Sequence, residues 1–254
     1  MKKSLGLLIK TDRVAMLQCE YWYWDKLKSQ GFVNENGCRI GEWVFYNENR
    51  FLEQKGSYNL GLKQGPWFEY CGTSKNRVAS ITIYKDDLKH GEYKSFYLDG
   101  SIQVVGNYIN DIAIGEWIEY DADNNIHRKE YYENGEKQGA WEMYIKGELV
   151  WVNNYQNNLP IGMHQLYRYD IIVKQGVYES GIENGLWNYY HDTGELGATG
   201  NYKSGVFDGE WVFLDKHNSE VGKAFFENGK LINSHGEVFT NDEELMDYCE
   251  TWWC

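Results

Sequence analysis

The chain has 254 residues, with 38 Asp and Glu against 25 Lys and Arg, a formal net charge of −13 and 17% aromatic side chains. This balance disfavours binding to nucleic-acid phosphates and anionic membranes and favours a basic partner. Only two prolines occur, Pro66 and Pro160, and no Pro/Ser-rich linker divides the chain, so one continuous body is expected rather than two linked domains.

At the start, Met1-Lys2-Lys3 and the apolar stretch from Leu5 to Ile9 imitate a secretion signal. The stretch is short, and Lys10, Asp12 and Arg13 interrupt it, so a signal peptide is not expected. No apolar run approaches bilayer-spanning length. Cys19, Cys38, Cys71, Cys249 and Cys254 have no paired spacing and read as reduced thiols of a cytoplasmic protein. Leu7, Ile9, Val14, Met16, Cys19 and Tyr21 largely alternate, predicting one or two strands. Residues 1–31 are therefore expected to cap the open edge of the first strand after them.

A repeat then begins. Glycine is followed two residues later by an aromatic or its stand-in in Gly41-Glu42-Trp43, Gly65-Pro66-Trp67, Gly91-Glu92-Tyr93, Gly115-Glu116-Trp117, Gly139-Ala140-Trp141, Gly162-Met163-His164, Gly185-Leu186-Trp187 and Gly209-Glu210-Trp211, at intervals of 23, 24 or 26 residues. Such a period means a repeat array. A second aromatic sits three residues after the Trp, as in Tyr46, Tyr70 and Tyr120. Another sits seven before the glycine, as in Tyr58, Tyr84 and Tyr108, with Asn34 in that place before the first copy. This tyrosine often has its own glycine two residues back, as in Gly56-Ser57-Tyr58 and Gly200-Asn201-Tyr202.

Residues i and i+2 of a strand share a face. Both Gly-x-Trp and Gly-x-Tyr are thus expected to place a gap and a ring on one face, each ring covering a neighbouring strand's glycine. Turns are marked by Asn134-Gly135, Ser180-Gly181, Ser204-Gly205 and Asn228-Gly229, and on the other side by Asp99-Gly100, Asn124-Asn125, Lys146-Gly147 and Thr193-Gly194. Asn-Gly is a strong hairpin signal because both residues tolerate positive φ. The expected fold is all-β: an elongated, single-layer antiparallel meander of tandem hairpins over residues 32–240. It holds about eight repeats and a degenerate ninth at Gly236-Glu237-Val238. At ~4.8 Å per strand, two strands add roughly 10 Å per repeat.

The pattern Tyr-x-Asn-Gly-x-x-x-Gly-x-Trp-x-x-Tyr resembles the MORN-repeat variant of bacterial proteins of the YwqK-type antitoxin family, over roughly Gly31 to Gly236. His164 in place of Trp and a turn lengthened over Thr73 to Asn76 are the departures. The resemblance implies an immunity partner that neutralises a toxin by tight binding.

Near the end, Thr240 stands three residues before Glu243, a capping-box pattern. Leu245, Cys249 and Trp252 come after it at helical spacing. Residues 241–254 are expected to form a helical cap.

No catalytic constellation is visible. His90, His127, His164, His191, His217 and His235 form no metal-ligand spacing, and His191-Asp192 reads as a polar turn. No cofactor, catalytic residue or metal ligand is assigned. Glu42, Glu92, Glu116 and Glu210 recur between the glycine and the ring and should point away from the ring face. They fit a solvated, solubilising face, and equally an acidic stripe that steers a basic partner such as a nuclease-like toxin. Asp242, Glu243 and Glu244 add a second acidic group, in part explained by helix N-terminal preference. Trp252 and Trp253 join the cap or a binding surface. A generic protein-interaction scaffold is a second reading. A carbohydrate-binding module is a third, since tandem Trp/Tyr/Gly hairpins also resemble choline-holding cell-wall repeats.

Overall fold

Two kinds of tight turn alternate along the chain and set the strand lengths. One kind places both central residues at positive φ, as in Asp86-Asp87, Asn110-Asp111, Asn134-Gly135, Ser180-Gly181 and Ser204-Gly205. That twist matches the twist of paired strands. The other is a five-residue turn, opened by Asn34, Asn47, Asp121 and Asp215 and by Tyr97 and His191 elsewhere. Oδ1 of Asn47 accepts the N–H groups of Asn49 and Phe51, each at 3.0 Å. Asn34, Asp121 and Asp215 do the same in their turns. The side chain thus mimics a further backbone acceptor. Lys146-Gly147 belongs to the first kind, both φ angles being positive.

The computed structural model describes residues 2–10, 13–22, 26–73 and 75–250, the side chains of 2–14 and 250 apart. The chain divides into two compact units, Met1–Asn125 and Ile126–Cys254. The first unit contains β1 (Lys2–Lys10), β2 (Arg13–Tyr21), β3 (Leu27–Val33), β4 (Arg39–Tyr46), β5 (Leu52–Asn59), β6 (Leu62–Tyr70), β7 (Val78–Lys85), β8 (Leu88–Phe96), β9 (Ile102–Ile109) and β10 (Ile112–Tyr120). The second contains β11 (Ile126–Glu133), β12 (Glu136–Lys137), β13 (Gly139–Ile145), β14 (Glu148–Gln156), β15 (Leu159–Arg168) and β16 (Ile171–Glu179). It continues with β17 (Ile182–Tyr190), β18 (Leu196–Lys203), β19 (Val206–Leu214), β20 (Glu220–Glu227), β21 (Lys230–Gly236) and the helix α1 (Asp242–Glu250). Within each unit the strands pair antiparallel in chain order, except that β12 and β13 both pair with β11, and β2 joins β3 as the sequence suggested. The all-β meander with one short C-terminal helix is what the repeat predicts.

The rings do lie on glycines, but on one set only. A Cβ built on Gly31, Gly56, Gly106, Gly176 or Gly200 would stand 2.0–2.4 Å from the nearest atom of Trp43, Trp67, Trp117, Trp187 or Trp211 respectively. These glycines, each two residues before Val33, Tyr58, Tyr108, Tyr178 or Tyr202, exist because the indole needs the space. Several indoles also donate Nε1–H to the carbonyl just after that glycine: Trp43 to Phe32 at 3.0 Å, Trp67 to Ser57 at 3.2 Å and Trp211 to Asn201 at 3.1 Å. Edge-to-face tyrosines complete each step, with Tyr58 5.0 Å and Tyr108 5.0 Å from the rings of Trp67 and Trp117.

The glycine of Gly-x-Trp has a different task, which corrects the expectation of a ring-covered gap. Gly41, Gly65, Gly115, Gly139, Gly162, Gly185 and Gly209 have φ between 63° and 73°, and a Cβ on any of them would meet nothing within 4 Å. The strand register shifts at this point, as between Lys55 and Ser57 in the β5–β6 pairing. These are bulge glycines, needed for a left-handed backbone and not for space.

Repeat-to-repeat coupling runs through the second turn residue. Asp111 donates its N–H to the Lys89 carbonyl at 2.9 Å, and its Oδ1 accepts the Lys89 N–H at 2.8 Å. Asp87 with Lys63 and Asn158 with Lys137 repeat the arrangement. Where this position holds Asp or Asn, its side chain thus adds a second tie to the strand one repeat earlier, while Gly61, Gly181, Gly205 and Gly229 make the backbone bond alone.

The register makes three local corrections. Val33, not Asn34, fills the tyrosine position of the first copy, because Asn34 opens a five-residue turn. The ninth copy is Ile232-Asn233-Ser234, since Ser234 stands opposite Ala224 where earlier strands set Trp beside Gly. Gly236 instead packs against the Val221 and Gly222 backbone. The helix cap is Asn241 rather than Thr240: Asn241 Oδ1 accepts the Glu244 N–H at 2.9 Å, while Glu244 takes the Thr240 N–H at 2.7 Å. The lengthened turn spans Cys71 to Arg77, with Ser74 outside the described residues.

At two of the seats without glycine the ring is smaller, whereas Trp141 keeps its indole beside Glu130 and donates Nε1–H to the Tyr131 carbonyl at 3.2 Å. Thr82 stands opposite Tyr93, and Asn153 lies by His164 with Oδ1 in contact with Nδ1. Burial, then the charge of Lys174, pushes the His164 pKa from 6.5 down to about 4. Between these values the unfolded chain holds the extra proton and the folded chain does not. Stability is therefore complete above about pH 6.5 and falls towards pH 4, by at most ~3.4 kcal/mol. Denaturant midpoints at pH 7 and pH 4.5 should show this loss, and His164→Gln should flatten it. An unchanged slope in the mutant would assign the acid sensitivity elsewhere.

Candidate protein-interaction surface

Each sheet has a face that it fills itself and a face that it leaves open. On the ring face, Trp43, Trp67, Trp141, Trp187 and Trp211 are 0–3% exposed. Cations close over them: Arg39 lies 4.4 Å from the Trp43 ring centroid, Lys63 4.2 Å from Trp67 and Lys137 4.1 Å from Trp141. Rings held this way offer no flat surface to a sugar. In the second unit α1 covers part of this face. Leu245, Tyr248 and Cys249 pack on a buried cluster that includes Tyr189, Ala198, Phe213 and Phe226.

The opposite face has no such cover among the described residues. The residue between glycine and ring points there in every copy and is exposed in every copy. In the first unit it is Glu42, Pro66, Glu92 or Glu116, so the sequence-derived acidic positions do face away from the rings. They are partly neutralised. Glu42 pairs with Lys55 at 2.9 Å and Glu92 with Lys94 at 2.8 Å. The Glu42 contact holds the Lys55 pKa above its usual value.

In the second unit the same position changes character. It reads Ala140, Met163, Leu186 and Glu210. Met163 is opposite Val177 and Glu210 opposite Phe225. Met163, Val177, Leu186 and Phe225 are 48%, 39%, 56% and 45% exposed. Grouped exposed apolar side chains of this kind mark interaction sites. Sequence reading missed them because attention fell on the glutamates of the repeat rather than on the residues that replace them.

The second acidic group does not act as a free cluster. Asp242 Oδ1 accepts from Lys174 Nζ at 2.7 Å and contacts the Tyr189 hydroxyl. Lys174 is 7% exposed, so this ion pair fastens the start of α1 to the ring face. Burial pushes the Tyr189 and Tyr202 pKa values well up. Thr240 holds the Glu244 carboxyl below its usual range, first through its N–H and then its hydroxyl. Glu243 is exposed. Trp252 and Trp253 lie outside the described residues. His191 does open a turn, but its ring is 2% exposed, bonded to the Leu214 carbonyl at 3.0 Å and packed on Tyr248.

No disulfide joins Cys19, Cys38, Cys71 or Cys249. Among the described residues no group of His, Cys, Asp and Glu is placed to hold a metal ion, and no helix is long and apolar enough to cross a membrane.

The geometry defines a tandem-hairpin repeat protein with one self-filled and one open sheet face. The MORN repeat variant model matches residues 89–110 and 114–134, which fall on β8 and β9 and on β10 and β11. MORN repeats indicate a repeat-based protein-interaction role. Comparison with curated proteins returned no match.

Proposed function

We propose that this chain is a non-enzymatic cytoplasmic protein that binds another protein through its open face, and that it serves as an immunity protein against a basic, nuclease-like toxin. The observations that carry this reading are two exposed rows, an acidic one in the first unit at Glu42, Glu92 and Glu116, and an apolar one in the second at Met163, Val177, Leu186 and Phe225. The acids of the first unit speed encounter with a basic partner, and desolvated apolar contacts on the second hold it. The formal net charge of −13 acts in the same direction over longer range. The resemblance to antitoxin repeats supplies the partner class.

Co-expression with the product of the adjacent gene tests the immunity role. Toxicity of that product alone, relieved by this chain, is the expected result. A harmless product, or toxicity that persists beside abundant soluble chain, would leave only a generic scaffold. Replacing Glu92 and Glu116 with Lys should slow association by about tenfold at low salt and leave the melting temperature within a few degrees. The difference should shrink as salt rises, because screening sets in beyond ~8–10 Å. Equal association rates for mutant and parent would remove these glutamates from the contact.

A further inference from the structure

α1 shows what the ring face of the second unit can hold. Its seat is the middle row of that face, where Lys174, Tyr189, Ala198 and Phe213 are successive cross-strand partners. The last three are 0% exposed beneath the helix. At the head of the helix, Asp242 meets Lys174, whose ammonium lies 4.9 Å from the Trp187 ring and 5.3 Å from Tyr189.

The same row continues the other way through Leu166, Trp151 and Met143. These are as apolar as the residues under α1, with Trp151 Nε1 donating to Met143 Sδ at 3.0 Å. They are only half-buried, and no described element lies on them. Across Trp141, which stands two residues before Met143, the Lys137 ammonium lies 4.1 Å from the Trp141 ring and 5.1 Å from Tyr155. Among the described residues no carboxylate pairs with its ammonium. Both strips thus combine an apolar row with a lysine held on two rings, Lys174 within the covered row and Lys137 across Trp141 from the open one. Trp151, at the middle of the open row, lies three strand spacings, roughly 14 Å, from Tyr189 on β17, the strand that α1 contacts. Two helices pack at about 8–10 Å, so a second helix would clear α1.

We propose that the strip of Lys137, Met143, Trp151 and Leu166 seats an amphipathic helix of a partner protein that carries a carboxylate in its first turn, as α1 carries Asp242. The carboxylate meets Lys137, and apolar side chains three and seven residues on meet the row, as Leu245 and Cys249 do in α1. This surface lies on the opposite face of the second unit from Met163 and Leu186. It stands or falls independently of the toxin reading.

The test uses the full chain and a stapled helical peptide with the sequence of residues 241–250, titrated by calorimetry. Saturable binding is expected, weakened about tenfold by Lys137→Glu and retained by Lys137→Arg. A peptide carrying Asp242→Lys should bind about tenfold less well. Lys137→Glu should leave the melting temperature of the free chain nearly unchanged, which separates a docking role from a structural one. No binding, or binding indifferent to Lys137→Glu because the peptide displaces α1 from its own seat, overturns the proposal. So does concentration-dependent dimerisation of the chain that Lys137→Glu abolishes, since the strip would then hold the α1 of a second copy.

Discussion

Trp67→Ala is expected to destabilise the first unit by about 3–5 kcal/mol. The indole is 2% exposed, lies on Gly56, touches Phe45, Tyr58 and Tyr84, and donates Nε1–H to the Ser57 carbonyl. Removing it uncovers the backbone of β5, strands a carbonyl and takes the ring from beneath Lys63. The Lys63 ammonium is already disfavoured by burial, which lowers its pKa. Neighbouring repeats rely on the same contact, so the damage should spread along the array. Trp67→Phe keeps most of the apolar area and loses the hydrogen bond, which predicts a smaller cost of about 1–2 kcal/mol. Chemical denaturation of the three proteins measures both. A melt of Trp67→Ala that matches the parent would mean the ring contributes little and the array is held by its turns alone.

Gly200→Ala should be nearly as damaging, although it adds a single carbon. The new Cβ would stand 2.1 Å from Trp211, in a position where Trp211 is 0% exposed and cannot swing aside. Overpacking of this kind costs about 1–3 kcal/mol and more where nothing yields. Gly209→Ala, in the next strand, is the contrasting case. Its Cβ would meet nothing, so the cost is the left-handed backbone alone, about 1–2 kcal/mol. The two substitutions are alike chemically and differ only in why the glycine is there. Thermal melts of both should rank Gly200→Ala as the worse. The reverse order would mean that the bulge, and not the ring seat, governs stability.

That difference marks how far the sequence could be read. The period, the hairpins, the α1 segment and the outward direction of Glu42, Glu92 and Glu116 were legible from spacing and turn chemistry. Glycine as a letter does not say whether the chain needs an absent Cβ or a positive φ, so Gly56 and Gly65 looked equivalent. The acceptor roles of Asp87 and Asp111 were hidden because the partner strand lies one repeat earlier. The Lys174–Asp242 pair joins residues 68 apart in sequence, and no local pattern announces it. Met163 and Leu186 were legible as exceptions to an acidic position, and their exposure became apparent only with the faces assigned.

Each ring-seat glycine is present for the sake of the indole that lies on it. A double-mutant cycle between Gly200 and Trp211 measures this coupling directly. With Trp211 changed to Tyr, the smaller ring that stands opposite Thr82 in the parent chain, Gly200→Ala should become neutral or slightly stabilising, since alanine is preferred to glycine within a strand by roughly 0.5–1 kcal/mol. The coupling energy should then approach the full cost of Gly200→Ala in the parent. If Gly200→Ala costs the same in both backgrounds, the glycine and the ring are independent, and the ladder of rings on glycines does not hold the fold together.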